Sequence, residues 1–306
     1  MNNSTEINPI DATIAVLDEL KRQRAEGVRY LYMEDSTLHA LGNLLGEGNH
    51  GVPQSQGVVD APVRNPEPVS SVSNLEQLAQ TSANPHDLDL SLRPQLSLPA
   101  GTKDEQWNWL KDQIFACEGC KSQLNPNGKI VFGVGNLDAD LFFCGEAPGA
   151  EEELAGEPFV GPAGELLDRI ISAMGLSREG VYIGNVVNFR PRHQRAYGNR
   201  PPTVEEMNFC LPYLHAQLEI VQPKVIVALG KTATDGLLGP DPKRRLGQLR
   251  GAWHEYEGIP MMVTYHPSYL LHNPSKSSKR KVWEDMLLVM EKLQLSISEK
   301  QREFFQ

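Results

Sequence analysis

The sequence predicts an α/β fold with three layers, α/β/α, around a central, mainly parallel four-stranded sheet. Three observations predict it. Four short apolar runs recur along the C-terminal two thirds of the 306-residue chain, helical stretches lie between most of them, and each run ends in polar, Gly or Pro residues. Alternation of buried strands with helices is the signature of a parallel sheet covered on both faces. In such sheets ligands bind at the carboxyl ends of the strands.

The runs follow in order. Asp140-Leu-Phe-Phe-Cys144 ends in Gly-Glu-Ala-Pro-Gly, and Gly180-Val-Tyr-Ile-Gly-Asn185-Val-Val ends in Asn188-Phe-Arg-Pro191. Lys224-Val-Ile-Val-Ala-Leu-Gly230 ends in Lys-Thr-Ala, and Pro260-Met-Met-Val-Thr-Tyr265 ends in His-Pro-Ser268. Helices are expected over Gly164–Met174, Val204–Ile220, Thr232–Leu238 and Lys279–Leu293, where apolar residues recur at three- and four-residue spacing. Val227–Ala233 resembles a phosphate-binding loop, but Val225 stands where the pattern needs Gly, so it reads as the start of a helix. Three parts are expected: a helical extension over 1–45, a flexible linker over 46–101 and a folded domain over 102–300. The extension rests on Ile10, Ile14, Leu17 and Leu20 at helical spacing; the linker rests on a Gly, Pro, Ser, Asn and Gln-rich composition too polar for a core.

Charge and cysteine content narrow the function. The net charge of −10 argues at first against nucleic acid, yet residues 1–100 carry 13 acidic and 6 basic side chains, leaving 26 and 23 in the remainder. Basic residues cluster after strand ends: Arg190, Arg192, Arg195 and Arg200; Lys243, Arg244, Arg245 and Arg250; Lys276, Lys279, Arg280 and Lys281. Phosphate contacts need such a rim; an ordinary solvated surface also produces it. No run approaches the roughly 18 apolar residues of a membrane helix, and the polar start MNNSTEIN lacks a signal-peptide pattern, so a cytoplasmic protein is expected. Four cysteines are too few for a disulfide scaffold, and Cys117-Glu-Gly-Cys120 favours a metal or redox site.

The strand ends gather Gly145, Glu146, Ala147, Glu152, Phe159, Asn185 and His266. Singly these are solvated carboxylates, a core phenylalanine, a structural asparagine and a satisfied histidine. Together they describe an apolar slot with an amide to read a base edge, a ring to stack on it and a cation-capable imidazole.

The segments GEAPGAEEELAGEPFVGPAGELL, the Asn185-Val-Val strand with GNRPPTVEE and CLPYL, and HPSYLL resemble the uracil-DNA glycosylase superfamily, nearest its iron–sulfur family 4 branch, over about residues 107–293. Nothing in residues 1–100 resembles it. The resemblance implies hydrolysis of the N-glycosidic bond of uracil in DNA, after base flipping, to leave an abasic site. It implies His266 as the donor that stabilises the leaving base, Asn185 as the base reader, and Phe159 as the stacking ring. Gly145 and Ala147 would complete the uracil pocket with Glu146 beside it. Ala147 stands where other branches place a water-activating Asp, which leaves Glu152 to orient water. Ser268, Arg190 and Arg200 would contact DNA, and Leu270 would be the wedge that fills the vacated space. A [4Fe–4S] cluster is also implied: Cys117, Cys120 and Cys210 match three of its ligand positions, and Phe189 stands at the fourth. Cys144 and His193 are then the candidate replacements, with an empty or zinc-filled remnant as the alternative. His193 is not placed like the reactive histidine of a cross-linking branch, so covalent capture is not expected. The chain is thus expected to be a monomeric DNA-repair hydrolase acting on uracil-containing DNA, with a protein partner or mere solubility as the purpose of its N-terminal helix. The rival reading is a catalytically weak DNA-binding module.

Overall fold

The computed structural model describes residues 93–192 and 198–306. The expected N-terminal helix, the linker as far as residue 92, and His193, Arg195 and Tyr197 lie outside the described residues.

Helix α1 (Lys103–Ala116) starts at a capping box, in which the Thr102 hydroxyl accepts from the Glu105 N–H while Glu105 accepts from the Thr102 N–H. Just before it, Leu96 and Leu98 pack on the core and the Gln106 amide donates to the Pro99 carbonyl. The last residues of the expected linker are therefore seated on the domain. Helix α2 (Glu118–Ser122) follows Cys117 directly.

The sheet has six strands in the order β1-β3-β2-β4-β6-β5: β1 Val134–Gly135, β2 Leu141–Gly145, β3 Tyr182–Asn185, β4 Val225–Leu229, β5 Trp253–Tyr256 and β6 Ile259–Thr264. The four expected runs form the parallel centre, and two antiparallel edge strands are added. A two-residue turn joins β5 to β6, with both Glu257 (φ 49°) and Gly258 (φ 81°) at positive φ, as the tightest hairpin turns require.

Side chains alternate across the sheet and build two cores. On one face Phe142, Cys144, Tyr182, Ile226, Ala228, Met261 and Val263 pack against Leu110 and Ile114 of α1. Helices α5 (Val204–Val221) and α6 (Gly230–Leu238) cover the same face. On the other, Leu141, Phe143, Ile183, Val225, Val227 and Met262 meet Leu167 and Ile171 of α4 (Pro162–Ala173) and Trp283, Met286, Val289 and Met290 of α9 (Lys276–Lys292). Shorter helices are α3 (Ala150–Ala155), α7 (Leu246–Leu249), α8 (Pro267–His272) and α10 (Glu299–Arg302). These are the three layers. The chain goes from β2 to β3 on one side and returns to β4 on the other, so strand order reverses at β2. A crevice opens at the carboxyl ends of β2 and β4, as such reversals dictate. No helix among the described residues is long and apolar enough to cross a membrane.

Candidate active site

A cavity of about 550 Å³ occupies that crevice. Glu146, Ala147, Glu152, Phe159, His266 and Ser268, all singled out in the sequence, line it together with Arg200. Gly230, Lys231 and Thr232, at the end of β4, complete the wall, so the segment that read only as a helix start is also part of the site. Its signal was its position at a strand end.

Phe159 is held in an unusual conformation. Its φ of 53° lies in the left-handed region, which costs a non-glycine residue of order 1 kcal/mol or more. Glu152 fixes it: one carboxylate oxygen accepts from the Phe159 N–H at 2.6 Å and the other from the Gly149 N–H. Two glycines make room. A Cβ at Gly164 would stand 1.8 Å from the Phe159 carbonyl oxygen, and a Cβ at Gly145 would stand 2.7 Å from the Phe159 ring and 2.2 Å from Asn185 Oδ1. Gly145, Phe159 and Asn185 therefore meet in space only because residue 145 has no side chain.

Asn185 pairs with Gly145 in the parallel register and lies behind the cavity wall, 3% exposed. Its Nδ2 is buried without a hydrogen-bond partner among the described residues, a cost that a native protein rarely leaves unanswered.

His266 caps α8, and its ring lies 5.6 Å from that of Phe159 at 32°. The Ser268 N–H donates to Nδ1 at 3.2 Å and the Ser268 hydroxyl sits 2.8 Å from the same atom. Nδ1 is thus an acceptor, and the proton of the neutral ring belongs on Nε2. Burial lowers the pKa to about 4. Burial therefore favours the neutral ring over the charged form of the expected cation-capable imidazole.

Burial raises the carboxyls of both Glu146 and Glu152 above their ordinary value. A hydrogen bond with Thr232 opposes this at Glu146, and the Gly149 and Phe159 N–H groups oppose it at Glu152. Glu146 is free of the backbone contacts that occupy Glu152.

Several expected DNA contacts are turned inward. The Arg190 guanidinium reaches Asn199 Oδ1 at 2.8 Å, the Gly198 carbonyl at 2.7 Å and Glu153 at 3.4 Å. Arg200 forms a two-pronged pair with Glu206 at 2.7 and 2.6 Å and donates to the Arg192 carbonyl. Glu153, 37 residues from Arg190 in sequence, and Glu206, six residues from Arg200, neutralise them. Leu270, the expected wedge, is 5% exposed and lines an apolar groove with Trp283 and Phe304, since its place on α8 turns it toward α4 and α9. Arg250 likewise pairs with buried Asp285.

The cysteines divide three to one. The Cys120 thiol, against the opposing effect of burial, draws Cys117 down to about 5, and the Cys117 and Cys210 thiols push Cys120 up. Cys144 stands apart on β2, pushed up to about 12 by burial alone and so a neutral thiol, and it is not among the groups that act on the other three. Phe189 is 0% exposed and belongs to the same core as the cysteines. Among the described residues no three His, Cys, Asp or Glu side chains are arranged to hold a metal ion. A four-thiolate cluster does not fit these donors: Phe189, at the position the resemblance gives to the fourth ligand, has no atom that can bind iron, and Cys144 is not among the groups that act on the other three thiols.

The family model described as the uracil DNA glycosylase superfamily matches residues 132–287. A Type-4 uracil-DNA glycosylase of Thermotoga maritima is 41% identical over 186 residues, 60% of this chain and 93% of that protein. One of Saccharolobus solfataricus is 40% identical over 174 residues, 54% of this chain and 77% of its own length. A Type-5 uracil-DNA glycosylase of Pyrobaculum aerophilum is 30% identical over 162 residues, covering 46% and 67%. The strand-end cavity and these matches coincide in one stretch of sequence, and the chain belongs to the uracil-DNA glycosylase superfamily, among its type-4 enzymes.

Proposed function

We propose that the chain hydrolyses the N-glycosidic bond of uracil in DNA, leaving an abasic site, as a cytoplasmic repair enzyme. Uracil departs as an anion while the sugar becomes cation-like, so fixed donors aimed at the base do most of the work. The observation that carries the reading is His266: a neutral imidazole whose Nδ1 is occupied by Ser268 presents Nε2–H as a donor for the uracil O2. It needs no proton from solvent and adds no charge to the empty pocket.

Asn185 offers an unpartnered Nδ2–H₂ for O4 while its Oδ1 accepts from N3–H. Cytosine reverses that donor and acceptor order, which gives the site its selectivity. Phe159 stacks on the flipped base, with Gly145 and Ala147 closing the pocket. Of the two acids, Glu146 is read as the one that orients water, because both Glu152 oxygens already serve the loop that carries Phe159. Glu152 is then a positioning residue. Ser268 serves through His266.

The test is abasic-site formation on a single-stranded oligonucleotide carrying one uracil, with His266→Ala and Asn185→Ala as controls. Wild-type protein is expected to cleave and both variants to lose most activity. Wild-type protein that binds uracil DNA tightly yet forms no abasic sites would leave the DNA-binding module as the function.

A further inference from the structure

We infer that Tyr269 is a stacking platform for a nucleobase next to the extruded uridine, the exposed end of an aromatic column built beside the active site. The inference rests on the uracil-excision reading above and adds to it the place where the neighbouring nucleotide is held.

The column begins in the core. Asp285 on α9 is 0% exposed and accepts from the Thr264 hydroxyl at 2.6 Å, from Arg250 Nε at 3.1 Å and from Arg250 Nη2 at 2.8 Å. The guanidinium so fixed lies 5.8 Å from the centroid of the Tyr265 ring, a cation–π distance. Tyr265 stacks in turn on Tyr269, with centroids 4.5 Å apart and planes 22° from parallel. Tyr269 is 38% exposed, and its hydroxyl has no hydrogen-bond partner among the described residues.

Position ties the column to the site. Tyr265 directly precedes His266 at the carboxyl end of β6, and Tyr269 directly follows Ser268, which lines the cavity. Of the three large residues on this helix, Leu270 and Leu271 both line the apolar groove against Trp283, and Tyr269 does not. The helix turns Leu270 into the protein, at 5% exposed, and leaves Tyr269 and Leu271 each 38% exposed; of these two only Tyr269 carries a ring, and that ring is the one stacked on Tyr265.

Chemistry selects the occupant. Every nucleobase has a π-face, so an exposed ring beside a base-flipping pocket binds the strand without regard to sequence. A free surface tyrosine would lose rotamer freedom on stacking; Tyr269 is already fixed by Tyr265 and loses little. Arg250 on the far side adds no competing salt bridge, because Asp285 holds it.

The test uses a single-stranded oligonucleotide in which 2′-fluoro-deoxyuridine resists cleavage and 2-aminopurine stands on its 5′ or 3′ side. Binding of wild-type protein is expected to quench one of the two probes through stacking. Tyr269→Phe should keep the quench and bind within twofold of wild type. Tyr269→Leu and Tyr269→Ala should lose the quench and bind roughly tenfold more weakly with an unchanged melting temperature. The platform is overturned if neither probe is quenched, or if Tyr269→Leu retains quench and affinity. Cleavage of an unmodified uracil oligonucleotide by the wild-type protein is scored separately, so its absence would count against the excision reading and leave the stacking result to stand by itself.

Discussion

The segment from Asn185 to Phe189 serves two regions that have fared differently. At its start, Asn185 joins a site in which each neighbour is held: Phe159 by Glu152, His266 by Ser268, Gly145 by the register of β2 and β3. Four residues later stands Phe189, fully buried, at the position where the family pattern has the fourth cysteine beside the corner formed by Cys117, Cys120 and Cys210. The difference teaches that the two regions are separable in this fold. Positions in the pocket are set by backbone register and short loops, and none of these contacts passes through Cys117, Cys120 or Cys210. The corner can therefore depart from the family pattern while the pocket keeps it.

The largest effect should come from the pocket itself. His266→Ala removes the donor proposed for the uracil O2, and loss of such a donor costs about 100- to 1,000-fold in rate. Single-turnover excision is the measurement, and a loss under tenfold would break the contrast. Its protonation gives a second readout. The folded pKa near 4 lies below the ordinary histidine value, so between these two pH values the unfolded chain binds more protons than the folded one. Stability should therefore rise with pH from about 4 to 6.5 and then level off. The His266 ring resonances should not titrate between pH 5.5 and 8; a midpoint near 6.5 would show the ring to be solvated.

Next comes the corner. Phe189→Cys restores a fourth thiol but removes a buried ring, and such truncations cost about 3 to 5 kcal/mol when nothing fills the space. The wild-type protein, purified anaerobically, should hold far less than four irons per chain and lack a 400 nm band, while Phe189→Cys should gain both iron and absorbance. The variant should be destabilised when stripped by chelator and largely rescued when loaded. A stoichiometric cluster in the wild-type protein would break the comparison, because three thiols would then suffice. Excision should change less than twofold when the variant is folded, which tests the separation of the two regions directly.

Glu152→Gln sharpens the pocket side. The amide keeps one acceptor oxygen and turns a donor toward the N–H of either Gly149 or Phe159. An unmet buried N–H costs about 1 to 3 kcal/mol, and Phe159 already carries backbone strain. Excision should fall about tenfold or more, with a lowered melting temperature. If Glu152 oriented water instead, rate would fall while the melting temperature held.

Much of this was legible in the sequence, for identifiable reasons. The four central strands are fully buried apolar runs, and burial writes itself into composition; β5 was not foreseen because Trp253, His254 and Glu255 on this edge strand remain partly exposed. Gly145, Asn185 and His266 were legible because they stand at or just past strand ends, and Glu152 and Phe159 because they lie in the loop-and-helix segment that follows β2. The partners of Arg190 and Arg250 were not, since Glu153 and Asp285 reach them only through the folded chain; Arg200 and Glu206 lie six residues apart across the turn into α5. Nor could spacing tell which face of a six-residue helix Leu270 would take.

That failure leads to the smallest effect. Arg190 and Arg200 looked like phosphate contacts but are held by Glu153 and Glu206, whereas Lys276, Lys279 and Lys281 make no ion pair among the described residues. A lysine that meets one phosphate adds about one unit to the slope of log affinity against log salt. Lys279→Ala should lower that slope by about one unit and leave the melting temperature unchanged. Arg200→Ala should do the reverse: it uncovers the buried Glu206 carboxylate, so stability falls while the salt slope holds. A changed slope in Arg200→Ala would mean that the guanidinium leaves Glu206 to meet DNA. The pocket rim would then have to rearrange on binding, and the contrast between a fixed site and a replaceable corner would fail on the side where it is drawn most firmly.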